Sequence, residues 1–172
     1  MIRFATMVAL VALAVSTPGT AIAADCLWPP VDAPVVDHFR SPPCPYCAGN
    51  RGLEYSVPAG TSVRALAAGV VTFAGDVAGV RYLVVRHGDG RRATYGRLTG
   101  THLSVGDVVA GGGVVATASG ELYVGLRDGD TYIDQEPLIG RRRPRPRLIP
   151  TDGTPPRPAP APRLDCAVAT GA

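Results

Sequence analysis

The sequence predicts an all-β fold, an antiparallel sandwich or open barrel with irregular proline-rich arms at both ends. Short β-rich runs bounded by glycine recur from Gly52 to about Ile139, the spacing of a sandwich or barrel. Gly88-Asp89-Gly90 stands between two such runs, and Asp-Gly there signals a hairpin because both turn positions favour positive φ. After the N-terminal segment no stretch shows helical periodicity.

The chain opens on a leader. Arg3 is followed by an apolar run from Met7 to Val15 and by small residues ending Ala21-Ile22-Ala23, which reads as a secretory signal peptide over residues 1–23. The run is too short to span a bilayer. Asp25 precedes Cys26, where a lipoprotein signal needs a small uncharged residue. The expectation is an exported protein of the periplasm, cell wall or medium, with no stable membrane span after cleavage.

Residues 24–49 are rich in proline and cysteine and lack periodicity, so they read as an extended arm lying on the domain. Residues 50–140 form the domain. Its strands are expected at Gly69–Gly75, Arg81–His87, Arg91–Leu98, Val108-Val109, Val114–Ala118 and Glu121–Leu126. At Gly140 the composition changes. Residues 141–172 are an Arg/Pro-rich tail whose proline density blocks helix and sheet and favours polyproline conformations. Its arginines either contact anionic wall polymers or simply keep a solvated tail soluble.

Four cysteines lie beyond the leader, and an even count in an exported chain suggests two disulfides with three possible pairings. The preferred pairing ties Cys26 to Cys166 and closes a small loop from Cys44 to Cys47. A thioredoxin-like reading of Cys44-Pro45-Tyr46-Cys47 needs a helix after the first cysteine, and prolines crowd the site instead. A four-cysteine zinc site is less compatible with export. The formal charge of +3, which loses Arg3 with the leader, is too mild to argue for nucleic acid.

From Asn50 to about Gly113, and more loosely to Leu138, the chain resembles the lysostaphin-type, LytM-like zinc metallopeptidases, which are peptidoglycan endopeptidases. Gly49-Asn50-Arg51-Gly52-Leu53-Glu54-Tyr55 stands where that family has a His-Arg-Gly-Ile-Asp-like segment. Val57-Pro58-Ala59-Gly60-Thr61-Ser62-Val63-Arg64-Ala65 matches its Pro-x-Gly-Thr-x-Val-x-Ala turn and strand. Leu83 to Gly90 matches the hairpin carrying His-Gly-x-Gly, and Thr94 to Leu98 and Val105 to Gly112 follow in order. The resemblance implies a duplicated-hybrid-motif β-fold and a groove for wall peptides.

It also implies where the chemistry would lie. Three protein ligands would hold zinc and leave one site open for an acidified water. Those ligand positions fall on Asn50, Glu54 and Tyr123, and the two catalytic-histidine positions on Arg97, after Tyr95-Gly96, and on Glu121. None is histidine. Asn and Tyr are poor zinc ligands, and arginine neither ligates a cation nor accepts a proton at neutral pH. The expectation is a degenerate member that has lost the family's zinc, with no catalytic residues, no cofactor and an ion pair between Glu54 and Arg97 filling the old site. Glu54 and Glu121 could still hold calcium, although such a site needs more oxygens.

The histidines that remain, His38, His87 and His102, have no ligand spacing. His87 is expected to be structural and His38 exposed. A groove lined by Asn50, Glu54, Tyr95, Arg97, Glu121 and Tyr123 then implies a secreted, non-catalytic pseudo-enzyme that binds peptidoglycan or regulates a wall hydrolase. The alternative is an active peptidoglycan metalloendopeptidase with non-standard ligands. Val105-Gly106-Asp107 also occurs in swinging-arm carrier domains, but those attach their cofactor to a lysine and the chain contains none.

Overall fold

The computed structural model describes residues 26–166, so the leader lies outside the described residues. Among the described residues there are eleven strands: β1 Val35–Asp37, β2 Leu53–Ser56, β3 Ser62–Arg64, β4 Gly69–Val77, β5 Val80–His87, β6 Arg92–Gly100, β7 Val108–Val109, β8 Val114–Asp128, β9 Thr131–Ile133, β10 Arg141–Arg143 and β11 Arg163–Asp165. The only helical element among the described residues is a 3-10 turn at Glu136–Leu138. The all-β, antiparallel expectation holds. Nine strands form one sheet in the order β1-β2-β8-β6-β5-β4-β7, with β3 and β9 also paired to β8.

β8 is the hub, and it merges the two strands expected at Val114–Ala118 and Glu121–Leu126. Ser119-Gly120 looks like a break in sequence, and Gly120 does have φ 118°. The strand continues because its partners change there, with β3 pairing against Val114–Thr117 and β2 against Glu121–Val124. Alternation along β8 sends Ala116, Ala118, Leu122, Val124 and Leu126 into the core. Leu83 and Val85 of β5 and Ala93 and Tyr95 of β6 meet them there, all fully buried. Fully burying each leucine and valine of this set contributes about 1.5–3 kcal/mol.

The two hairpin turns differ from simple expectation. Gly88-Asp89-Gly90 does join β5 to β6, but only Gly90 has positive φ, at 92°. The bonds His87 N–H to Arg91 O and Gly90 N–H to His87 O make it a three-residue loop closed by a left-handed glycine. The two-residue turn with both φ positive is Ala78-Gly79, between β4 and β5. No Asn-Gly or Asp-Gly announces it.

The proline-rich segment ahead of β2 packs into the sheet and core. Leu27 and Val31 are buried in the core, Leu27 bonds Leu138 and Gly140 through its backbone, and β1 extends the sheet beyond β2. Both preferred disulfides are formed, Cys26–Cys166 and Cys44–Cys47. The tail departs from the expectation that it forms no sheet, since β10 and β11 pair antiparallel. The six residues that pair contain no proline, so each keeps the amide a ladder needs. The disulfide beside them holds the two segments in register.

Candidate functional site

The site forms where β2, β8 and β6 run side by side. Glu54 of β2 sits opposite Tyr123 of β8, and Tyr123 opposite Gly96 of β6. Alternation then sets the direction of each side chain. Leu53, Tyr55, Leu122 and Val124 point into the core, so Glu54, Glu121 and Tyr123 project from the other face.

Arg97 reaches that face through a β-bulge. Tyr82 pairs with Gly96 and Arg81 with Leu98, which leaves Arg97 as the extra residue on β6. Its φ of 61° is left-handed, a conformation a non-glycine residue rarely adopts. The bulge keeps Tyr95 and Leu98 in the core and turns Arg97 outward between them. The Ser119 hydroxyl donates to the Arg97 carbonyl at 2.8 Å and holds the distorted backbone.

The Arg97 guanidinium forks onto Glu54, with Nη1 to Oε2 at 2.9 Å and Nη2 to Oε1 at 3.1 Å. Nη1 also donates to Glu121 at 3.1 Å. These contacts hold Arg97 even further above its usual range, the Glu54 bonds being the main cause. Glu54 is the more buried carboxylate and Glu121 the more exposed, with side-chain exposures of 25% and 67%. The fork to Glu54 is therefore the firmer contact, and the Glu121 arm is open to exchange with solvent or a ligand.

The other positions are spoken for. Asn50 is 7% exposed; its Oδ1 accepts from Gly52 N–H at 3.2 Å and its backbone pairs with Arg40. Tyr123 lies flat over glycine: a Cβ on Gly125 would stand 2.7 Å from its hydroxyl. Burial pushes its pKa up to about 12. Tyr82 covers Gly96 in the same way, 2.5 Å from where a Cβ would be. These residues, with Gly49 and Arg51, line a cleft of about 300 Å³. A second depression of about 490 Å³, lined by Pro42, Pro43, Cys44, Asp130 and Tyr132, shares Arg51 with it.

The geometry thus gathers Asn50, Glu54, Arg97 and Tyr123 at one cleft, with Glu121 at its edge. Tyr95 is a correction. It is fully buried, and its hydroxyl accepts from Leu66 N–H at 2.8 Å, so it belongs to the core and lines no groove. It points inward because it precedes the bulge by two residues. Tyr82 and Arg51 were missed. Strand alternation could have found Tyr82, since Leu83 and Val85 beside it read as core. Nothing local singled out Arg51.

The histidines stay apart. His38 is exposed and bonds Glu136 at 2.7 Å, and His102 is exposed. His87 is buried, its Nδ1 on the Ala68 carbonyl at 3.1 Å. Among the described residues no three His, Cys, Asp or Glu side chains converge on one point.

A family model for peptidase family M23 matches residues 48–134, half of the chain. The chain belongs to peptidase family M23. Among solved structures, Csd3 of Helicobacter pylori is similar with a TM-score of 0.60 at 20% identity over 66% of this chain. The catalytic domain of the antimicrobial peptidase lysostaphin from Staphylococcus simulans gives 0.54 at 19% over 62%. A zinc-containing peptidase from Vibrio cholerae gives 0.53 at 22% over 61%. The aligned regions span 34%, 91% and 37% of those chains respectively, so this M23 chain covers about a third of the Helicobacter and Vibrio proteins. At such identities the likeness is one of fold. No curated protein matches the sequence significantly.

The M23 fold implies a zinc ion at this site, and the residues present do not fit one. The donor set would be an amide already bonded to a backbone N–H, a phenol held protonated by burial and one carboxylate. That carboxylate is already forked by a permanent cation. Zinc sites use neutral imidazole, thiolate or free carboxylate, and a guanidinium within bonding distance of the one carboxylate opposes any second cation.

Proposed function

We propose that this chain is a non-catalytic M23 protein of the bacterial cell envelope, which binds peptidoglycan or regulates a wall hydrolase through the cleft between β2, β8 and β6. One observation carries the reading: a bidentate fork joins Arg97 to Glu54, the two residues that the resemblance aligns with a catalytic histidine and a metal ligand. A guanidinium supplies neither role, but in a half-exposed cleft it is a good receptor for a carboxylate. Wall peptides end in carboxylates, and Glu121 is the exposed partner such a group would displace. Tyr82 and Tyr123 offer apolar faces beside it for a sugar ring or peptide backbone. Two disulfides and the family's membership favour an extracytoplasmic site of action.

The test is cosedimentation with purified sacculi, beside a pull-down of envelope hydrolases, for the wild type and for Arg97→Ala. Binding of one or the other that falls about tenfold or more in Arg97→Ala is the expected result, since a charge-assisted bidentate contact is worth about 1.5–3 kcal/mol. A protein that binds neither is not of this kind. Elemental analysis of protein purified without added metal is the second check. Stoichiometric zinc would overturn the non-catalytic reading.

A further inference from the structure

The charge of the described chain is divided unequally. Cys26 to Gly140 carries nine arginines against eleven acidic residues, whereas Arg141 to Cys166 carries seven arginines against two aspartates. Two of the seven are tied to the body or ribbon, Arg142 to Asp32 and Arg143 to Asp165. Among the described residues no carboxylate pairs with Arg141, Arg145, Arg147, Arg157 or Arg163.

The tail is presented in a particular way. The β10–β11 ribbon and the Cys26–Cys166 disulfide clamp both ends of a loop, residues 144–162. Eight of those 19 residues are proline, which stiffens the chain and, at roughly 3.1 Å per residue, carries it away from the ribbon. The loop bends back at residues 151–153, where Gly153 has φ 85° and Asp152 Oδ1 accepts from Thr154 N–H at 3.0 Å. Just before that bend stand Leu148 and Ile149, 96% and 67% exposed. They are the only large aliphatic side chains of the loop, and arginines 145 and 147 immediately precede them.

We propose that this clamped loop docks on an anionic lipid surface, with the arginines on the headgroup phosphates and Leu148 and Ile149 entering the acyl boundary. Charge alone would suit any polyanion. The adjacent aliphatic pair at the apex decides for lipid, because in a complex with a soluble polyphosphate it would stay in water, and at a bilayer surface it leaves water. Asp152, the one acid at the apex, accepts from Thr154 N–H and is outnumbered by the loop's three arginines, Arg145, Arg147 and Arg157. No helix among the described residues is long and apolar enough to cross a membrane, and the contact inferred is peripheral.

Cosedimentation of the full chain with vesicles of equal parts phosphatidylglycerol and phosphatidylcholine tests this, beside vesicles of phosphatidylcholine alone and a soluble polyphosphate competitor. Binding is expected on the mixed vesicles only. It should weaken about tenfold or more in Arg145→Ser/Arg147→Ser and again about tenfold in Leu148→Ser/Ile149→Ser. All four positions are exposed, so circular dichroism should show both variants folded. Absence of binding to the mixed vesicles overturns the proposal. So does binding that the aliphatic variant retains in full, which would mark the loop as a receptor for soluble polyanions. The cleft variant Arg97→Ala should bind vesicles normally, which separates failure here from failure of the wall-binding reading.

Discussion

Among the described residues Arg97 and Ala78 are the two non-glycine residues with positive φ, and Arg97 holds its strain for the sake of a contact. The left-handed conformation costs a side-chain-bearing residue roughly 1 kcal/mol or more, and the fork onto Glu54 offsets it. Two substitutions separate the terms. Arg97→Ala loses the fork and keeps the strain, and Arg97→Gly loses the fork and relieves it. Arg97→Gly should therefore be the more stable variant by about 0.5–1 kcal/mol, after allowing for glycine's larger unfolded-state entropy. Urea midpoints at unchanged slope would read the difference, and equal midpoints would mean that the bulge stores no strain. Sequence could single out Arg97 through the family resemblance, but not its bulge, because an extra residue in a strand has no residue-type signature. His87 carries a second residue-scale prediction. Burial lowers its pKa from the usual 6.5, and its Nε2 is buried without a partner. The folded chain favours the neutral ring while the unfolded chain takes up a proton near pH 6.5, so stability is full above that pH and falls as the pH drops below it. Chemical denaturation at about pH 7.5 and about pH 5.5 should show the loss, and His87→Leu should flatten it over that interval.

The strands expected from sequence were found where glycine and β-branched residues punctuate them, because period-2 burial and turn chemistry are local properties. What local pattern could not supply was pairing. β8 reads as two strands until β3 and β2 are seen on either side of Gly120. β10 and β11 cannot be read at all inside a proline-rich tail, since a disulfide joining positions 140 residues apart creates them. The β4–β5 turn is the element whose sequence fits its backbone least. Gly79 is suited to φ 80°, but Ala78 sits at φ 50° in the place where Asn or Gly is favoured. A Cβ costs energy there and packs against nothing, since both turn residues are exposed. Ala78→Gly should therefore raise stability by about 0.5 kcal/mol, and Ala78→Asn by a similar amount without glycine's entropic cost. Thermal midpoints would check this, and a lower midpoint for both variants would show that the turn is not strained.

Across the whole molecule, the two arms meet beside the domain at Cys26 and Cys166. Just inside that disulfide, Leu27 exchanges backbone bonds with Leu138 and Gly140, and Leu27 itself is core. The entry and exit of the domain are thus joined by the sheet-like contact first and by the disulfide second. In the chain-entropy account a closed loop of this length is worth about 4–5 kcal/mol, with measured effects commonly smaller. Cys26→Ser/Cys166→Ser should lower global stability by about 2–4 kcal/mol, yet leave the M23 sheet folded, because its buried core does not include the tail. The ribbon should respond differently. β10 and β11 have one three-residue ladder and no buried residue of their own, and a two-stranded ribbon that short is not stable alone. Hydrogen exchange should therefore show the amides of Arg141–Arg143 and Arg163–Asp165 losing all protection in the variant. Those of β5, β6 and β8 should slow less than before but stay protected. Retained protection in the ribbon would mean that the arginine side chains, through Asp32 and Asp165, hold the tail to the body without the covalent link. In that case reduction would not release the loop that presents Leu148 and Ile149.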